Sequence, residues 1–277
     1  MSQLYQSVGI SKQAIHQYSK RQTIFDYKVS QLILEVDELR AEHPGCGVEK
    51  MYYTLLPDFI GRDRFVELFM RLGYKVVRKK NYRRTTIASK IYYPNLIKGL
   101  IISKPSQIWQ SDITYINLGN SFCYAVFIID VYTKKIVGFN VGENMRAEAN
   151  IKALKMALRN NKSPAFHHSD RGSQYTYKPY IKILKENNCK ISMSLTAQDN
   201  AFAERINRTI KEEYLYYRNI DSISKTQYEV KKAVNHYNQK RPHRNLKNKT
   251  PIQFEIEWKK LEESKRQKLF IFDNEKL

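Results

Sequence analysis

Three acids, Asp112, Asp170 and Glu204, sit where a carboxylate can do chemistry. Asp112 lies inside the β-rich stretch IWQSDITYI, on one face with Gln110 and Thr114, while Trp109, Ser111, Ile113 and Tyr115 point the other way. Asp170 directly follows the short run AFHHS, and α/β folds place sites beyond the carboxyl ends of strands. Glu204 lies near the start of DNAFAERINRTIKEEY, where helical spacing sets Phe202 and Ile206 opposite it and Asn207, Arg208 and Lys211 near it. A chain with 27 acids contains many Asp…Asp…Glu triplets, so placement carries the argument rather than spacing. Crowded carboxylates raise each other's pKa. Divalent cations resolve that repulsion, and oxygen-only donors suit Mg²⁺ or Mn²⁺. Two such ions about 3.5–4 Å apart activate a water or a 3′-hydroxyl and stabilise the leaving oxygen in phosphoryl transfer. The bland alternative makes Asp112 an exposed strand residue, Asp170 a turn cap in SDRGS and Glu204 an ordinary surface acid.

Charge points to the substrate. Lys and Arg total 48 against 27 acids, a net +21 over 277 residues, and such a surplus attracts polyanions, nucleic acid first. It argues against a glycosidase pair of carboxylates, as does the lack of an aromatic sugar platform near these acids. Cys46, Cys123 and Cys189 are far apart and odd in number, so neither a disulfide framework nor a zinc site is expected, and a reducing cytoplasm fits. No apolar run approaches the ~18 residues of a membrane span. The start, MSQLYQSVGISKQ, lacks the apolar block of a signal peptide. A secreted or membrane protein is therefore not expected.

The elements that must position the acids follow from periodicity. IWQSDITYI, FCYAVFIIDVY and KKIVGFNVGE read as strands with short links, hence an antiparallel meander. The second is apolar on both faces, as a central strand would be. RAEANIKALKMALRNN is a helix, AFHHSD a strand, KPYIKILKENN a helix, KISMSL a strand and DNAFAERINRTIKEEYLYYRN a long helix. The order β-β-β-α-β-α-β-α over 105–218 predicts an α/β domain with a mixed five-stranded sheet flanked by helices, and it resembles the ribonuclease H-like fold. In that fold the first strand is central with the fourth beside it, so the three acids could converge.

Residues 1–95 read as a helical DNA-binding region. LYQSVG and SKQAIHQYSKRQ, with Ser11 as a cap, suggest a helix-turn-helix around Gly9. VSQLILEVDELRAEH is an amphipathic helix, and GVEKMYYTLL and RDRFVELFMRLGY form a second helical pair. The basic stretch 74–90, with Arg78, Lys79, Lys80, Arg83 and Arg84, reads as a phosphate-tracking arm. Residues 219–277 read as a basic helical extension with a turn at Arg241-Pro242 and a polar tail, and Arg241, His243 and Arg244 are expected to meet phosphate. Trp109 is expected in the core and Asp130 in a structural turn.

These residues resemble the DDE transposases of the IS-three group of bacterial insertion sequences, which share the retroviral-integrase catalytic core. WQSDITYI is similar to the family's first-aspartate motif. HHSDRGSQYTY is similar to its second, and DNAFAERINRTIKEEYL to its glutamate motif. NHYNQKRPHRNLKNKTPIQF resembles the C-terminal signature, and YRRTT with the preceding helices the region before the core. The resemblance spans about residues 30–255. It implies that Asp112, Asp170 and Glu204 are the catalytic metal ligands and that Lys211 contacts DNA near the site, with Arg208 on the same helix edge. His168, Asn207 and Gln174 become candidates to support the ligands, although a packed, satisfied His168 remains an equal alternative.

Two features depart from the family. Between Asp170 and Glu204 lie 33 residues, two fewer than the family commonly has, and the shortfall falls in the loop SLTAQDNA. Family members also often gain an upstream helix-turn-helix and coiled coil by frameshifting, which makes this chain read as the downstream-frame product and an upstream-frame protein a candidate partner. The implied function is a bacterial, cytoplasmic and nucleoid-associated DNA transposase. It would act as a multimer on terminal inverted repeats and target DNA, with two Mg²⁺ or Mn²⁺ ions per site. The rivals are an inactive or repurposed DNA-binding relative and a structure-selective nuclease on the same fold.

Overall fold

The computed structural model describes residues 11–76, 92–119 and 121–271. The chain divides into two compact units, through Val76 and from Val77 onward.

The first unit is helical. Helix α1 runs Lys12–Glu42, with Ser11 accepting a hydrogen bond from the Ala14 amide at 3.1 Å, as its cap position predicts. It is one uninterrupted helix where the sequence reading had two. No glycine or proline falls within it, and Pro44 and Gly45 come just beyond its end. The segment LYQSVG and the five arm residues Arg78, Lys79, Lys80, Arg83 and Arg84 lie outside the described residues. Helices α2 (Val48–Leu55) and α3 (Arg62–Arg71) form the expected pair. They close a core on the carboxyl-terminal half of α1, where Leu32, Val36 and Leu39 meet Met51, Phe65 and Phe69.

The second unit carries a five-stranded sheet. Its strands are β2 (Ile108–Asn117), β3 (Phe122–Asp130), β4 (Ile136–Gly142), β5 (Phe166–Ser169) and β6 (Lys190–Met193), in the spatial order β4-β3-β2-β5-β6. The first three pair antiparallel, whereas β5 and β6 join β2 in parallel, the mixed ribonuclease H-like arrangement expected. Strand β3 explains its own apolar sequence. Ala125, Phe127 and Ile129 pack under α6 (Ala201–Glu213) and α7 (Ile223–Gln239), while Val126 and Ile128 pack under α4 (Ala147–Asn160) and α5 (Lys178–Glu186). Helix α4 lies so close to β4 that a Cβ on Gly138 would stand 2.3 Å from the Ala153 carbonyl oxygen.

Two expectations change at the carboxyl-terminal end. The helix bearing Glu204 stops at Glu213 instead of running on to residue 219. At its end Tyr214 leaves helical geometry, and its hydroxyl lies 3.1 Å from His236 Nδ1. The region from residue 219, expected to be helical with a polar tail, also holds a short strand. After α8 (Pro251–Lys260), β7 (Leu269–Phe270) pairs antiparallel with β1 (Ile101–Ile102), and Ile271 is buried with Ile97, Ile102, Ile108 and Val131. Two-residue strands carry no period that a sequence reading can detect.

Candidate active site

The register of the sheet brings the first two acids side by side. Strands β2 and β5 pair from Ile108↔Phe166 to Ser111↔Ser169, and there the ladder ends. Asp112 and Asp170 are the next residues on each side of the opening. Asp112 is held at both oxygens: Oδ1 accepts from the Ile113 amide at 2.9 Å and Oδ2 from Asn207 Nδ2 at 2.7 Å. Asp170 Oδ1 accepts from the Gly172 amide at 3.0 Å. A Cβ at Gly172 would lie 3.0 Å from that oxygen and 2.9 Å from Gln174 Oε1, so a larger residue there would have to displace these two side chains.

Glu204 arrives differently, from the first turn of α6, and is exposed. The three carboxylates nevertheless share one electrostatic field. Asp112 is pushed up to about 7, first by burial, then by the charge of Asp170 and more weakly by Glu204, against the pull of its two hydrogen bonds. Asp170 is raised by burial, with the Gly172 amide opposing. Glu204 is raised by burial and by Asp170, with Arg208 opposing. Among the described residues, no three His, Cys, Asp or Glu side chains are gathered closely enough to form a ready metal cluster. The donors fit a hard divalent cation: three carboxylates, no thiolate, and beside Asp112 the buried Asn207 Oδ1, which has no hydrogen-bond partner of its own.

The supporting residues fall into place unevenly. Asn207 bonds Asp112 directly. Gln174 does not reach a carboxylate; its Nε2 donates to the Met145 carbonyl at 3.0 Å and ties the turn after Asp170 to the loop before α4. His168 is buried with Nδ1 2.8 Å from Ser192 Oγ, burial lowers it to about 4, and its buried Nε2 has no hydrogen-bond partner among the described residues, so it is packed but only half satisfied. Lys211 stands over the Tyr115 ring at 5.0 Å, within the field of Asp112. Arg208 and Arg244 are exposed. Arg241 is a correction: it is buried, and its Nε and Nη2 each bond a carboxylate oxygen of Glu213 at 2.8 Å, so its guanidinium is committed inside the protein rather than to phosphate. Trp109 is buried in the core, and Asp130 binds the Ser106 and Thr133 amides, the turn role expected of it.

Residue-type reasoning missed the groups that hold α6 to β2. Gln110 Oε1 accepts from the Phe202 amide at 3.1 Å and its Nε2 donates to the Asp199 carbonyl at 3.1 Å. Asn200 Nδ2 donates to the Ser111 carbonyl at 3.0 Å, and Ser111 Oγ lies 2.9 Å from the buried Tyr175 hydroxyl. The only available signal was that Gln110 shares a strand face with Asp112. The shortened loop is itself well tied: Asp199 Oδ2 accepts from the Leu195 and Thr196 amides, each at 2.9 Å.

Comparison with known proteins agrees with this geometry. Two models described as integrase core domain match residues 102–198 and 187–251. The insertion element IS600 31 kDa protein of Shigella sonnei is 35% identical over 70% of this chain and 75% of its own length. The transposase for insertion sequence element IS629, also of Shigella sonnei, is 32% identical over 72% of this chain and 70% of its own. In fold, the chain resembles a chain of the simian T-cell lymphotropic virus intasome in complex with PP2A regulatory subunit B56 gamma, with a TM-score of 0.50, 17% identity, and coverage of 61% of this chain and 60% of that one. The sheet order, the matched core and these relatives together make the chain a member of the insertion-sequence transposases that carry an integrase core domain.

Proposed function

We propose that this transposase cleaves and joins DNA strands at the ends of its own element in a divalent-metal-dependent reaction, with Asp112, Asp170 and Glu204 as the metal-holding residues. The observation that carries the reading is geometric: the β2–β5 register ends at Ser111↔Ser169 and sets Asp112 beside Asp170, and Asn207, one turn after Glu204, bonds Asp112. Acids brought together from distant parts of the sequence are suited to holding divalent cations. When bound, Mg²⁺ or Mn²⁺ ions, two per site by family resemblance, would supply Lewis-acid stabilisation of the attacking and leaving oxygens.

The protein's own groups have separable tasks. Asn207 orients the Asp112 carboxylate, and the Gly172 amide holds Asp170. Lys211, packed on Tyr115 near Asp112, is placed to meet a phosphate beside the scissile bond. Arg208, Arg244 and the arm residues Arg78, Lys79, Lys80, Arg83 and Arg84 would track the backbone. The partners are the terminal inverted repeats and target DNA, and the working form is a multimer on DNA.

Incubating the protein with labelled DNA from the element's flanks, with Mg²⁺ and with chelator, tests the reading. Metal-dependent nicking at the element ends is expected; DNA binding without it would favour the rival, a DNA-binding relative without catalysis. That rival draws on one observation, the open arrangement of the three acids. Binding itself should weaken steeply with salt, and a nearly flat plot of log K against log salt would contradict a phosphate-dominated interface. Changing the five arm residues to alanine should weaken binding to all DNA alike; a loss confined to the element ends would mean sequence reading instead.

A further inference from the structure

We propose that Gln110 is a positioning residue that fixes Glu204 relative to Asp112, an inference that rests on the catalytic reading of those two acids. Helix α6 continues from a tight turn over Ala197–Asn200 that Thr196 and Asp199 cap reciprocally, and Asn200, at the N-cap of α6 itself, makes no side-chain capping bond. The amides of a helix's first turn need acceptors. An oxygen of the N-cap side chain can serve the second or third amide. Here the oxygen comes from another element. Gln110 Oε1 accepts from the Phe202 amide at 3.1 Å and the Ala203 amide at 3.4 Å, the second and third residues of α6. The other end of the same side chain, Nε2, donates to the Asp199 carbonyl at 3.1 Å.

Gln110 is only 1% exposed, so these bonds do not compete with water. The clamp joins the residue two before Asp112 on β2 to the residue directly before Glu204 on α6. Asn200 adds a parallel tie, from Nδ2 to the Ser111 carbonyl at 3.0 Å. Glu204 makes no side-chain hydrogen bond of its own among the described residues, so its location is set by where α6 starts. A glutamine suits this task because its amide serves a helix N-terminus and a carbonyl at once. Glutamate would keep the first function and lose the second, and methionine, of similar length, would lose both.

The test uses the full chain, wild type and Gln110→Met, with Gln110→Glu as the partial rescue. Three quantities are read: affinity for element-end DNA in chelator, the Mg²⁺ concentration giving half of the metal-induced rise in melting temperature without DNA, and kcat and half-saturating Mg²⁺ for cleavage. In Gln110→Met, DNA affinity should stay within about twofold, while half-saturating Mg²⁺ rises and kcat falls by about tenfold each. Gln110→Glu should lie between the two. A methionine variant that responds to Mg²⁺ as wild type does overturns the inference alone. So does one that loses DNA affinity, melting temperature and cleavage together with no change in half-saturating Mg²⁺, since that is general damage. A wild type that shows neither metal response overturns the catalytic reading, and this inference with it. If Gln110→Met does not fold, hydrogen exchange on the wild type decides: the Phe202 and Ala203 amides should exchange as slowly as the middle of α6, and fast exchange there overturns the clamp.

Discussion

The sheet and helix α6 contribute to the same site by different physics. On the sheet, Asp112 and Asp170 come from neighbouring strands at the rung where the β2–β5 ladder ends, and backbone amides grip both carboxylates. Their neighbours are packed: Ser111 against Tyr175, and His167 with Nε2 2.9 Å from the Tyr180 hydroxyl. On α6, Glu204 is exposed, and its helix is tied to β2 by Gln110 at its start and by Asn207 bonding Asp112 one turn on. The sheet acids are held by amides of their own backbone, whereas the helix bearing Glu204 is held by side chains that cross between it and β2.

The sharpest way to break the comparison is to remove the charge from each half in turn. Asp112→Asn and Glu204→Gln should each lower Mg²⁺-dependent cleavage by about 10³-fold or more, because groups acting as a unit fail as a unit. Both should keep element-end DNA affinity in chelator. Cleavage that survives Glu204→Gln but not Asp112→Asn would mean that α6 is no part of the chemistry. The next effect down tests the bridge between the halves. Asn207→Ala removes the bond from α6 to Asp112 and should cost about 10–100-fold in cleavage or in Mg²⁺ requirement, measured by titrating Mg²⁺.

How much of this was legible beforehand follows the same division. The strands and their order could be read because β-rich runs such as IWQSDITYI and the all-apolar FCYAVFIIDVY are joined by short links. The packing of Arg241 could not. A basic residue in a basic turn reads as a phosphate contact until the fold brings Glu213, 28 positions earlier, against it. Gln110 was hidden for the same reason: its partners Asp199, Phe202 and Ala203 lie some 90 residues away, at separations of 89 to 93. The continuity of α1 is hidden in TIFDYK, the stretch between the two helical readings, although nothing there breaks a helix.

Acid should act on the sheet half. His167 is fully buried, and burial lowers it from 6.5 to about 3, so the folded protein keeps it neutral while the unfolded chain protonates it below 6.5. Its contribution to stability is thus intact above pH 6.5 and is lost as pH falls toward 3, at a slope of at most about 1.4 kcal/mol per pH unit. Melting temperature measured from pH 7 to pH 4 should fall, and His167→Phe should flatten that fall; an unchanged slope would remove His167 from the account.

The smallest effect separates the two halves most directly, because it needs no DNA and no metal. Asp112 carries a carboxylate that burial and two neighbouring charges oppose, so the fold holds it at a cost, as functional sites commonly do. Asn at position 112 keeps the shape and an oxygen for Asn207 and removes the charge. Asp112→Asn should therefore stabilise the metal-free protein by about 1 kcal/mol at neutral pH, seen as a higher urea midpoint. Glu204→Gln, on the exposed helix edge, should shift it by less than about 0.5 kcal/mol. Equal shifts would mean that both acids feel the same surroundings, and the distinction between a half-buried sheet acid and an exposed helix acid would be lost. A destabilised Asp112→Asn would mean that the hydrogen bonds from Ile113 and Asn207 outweigh the repulsion, and that the site is already arranged for an anion in the absence of metal.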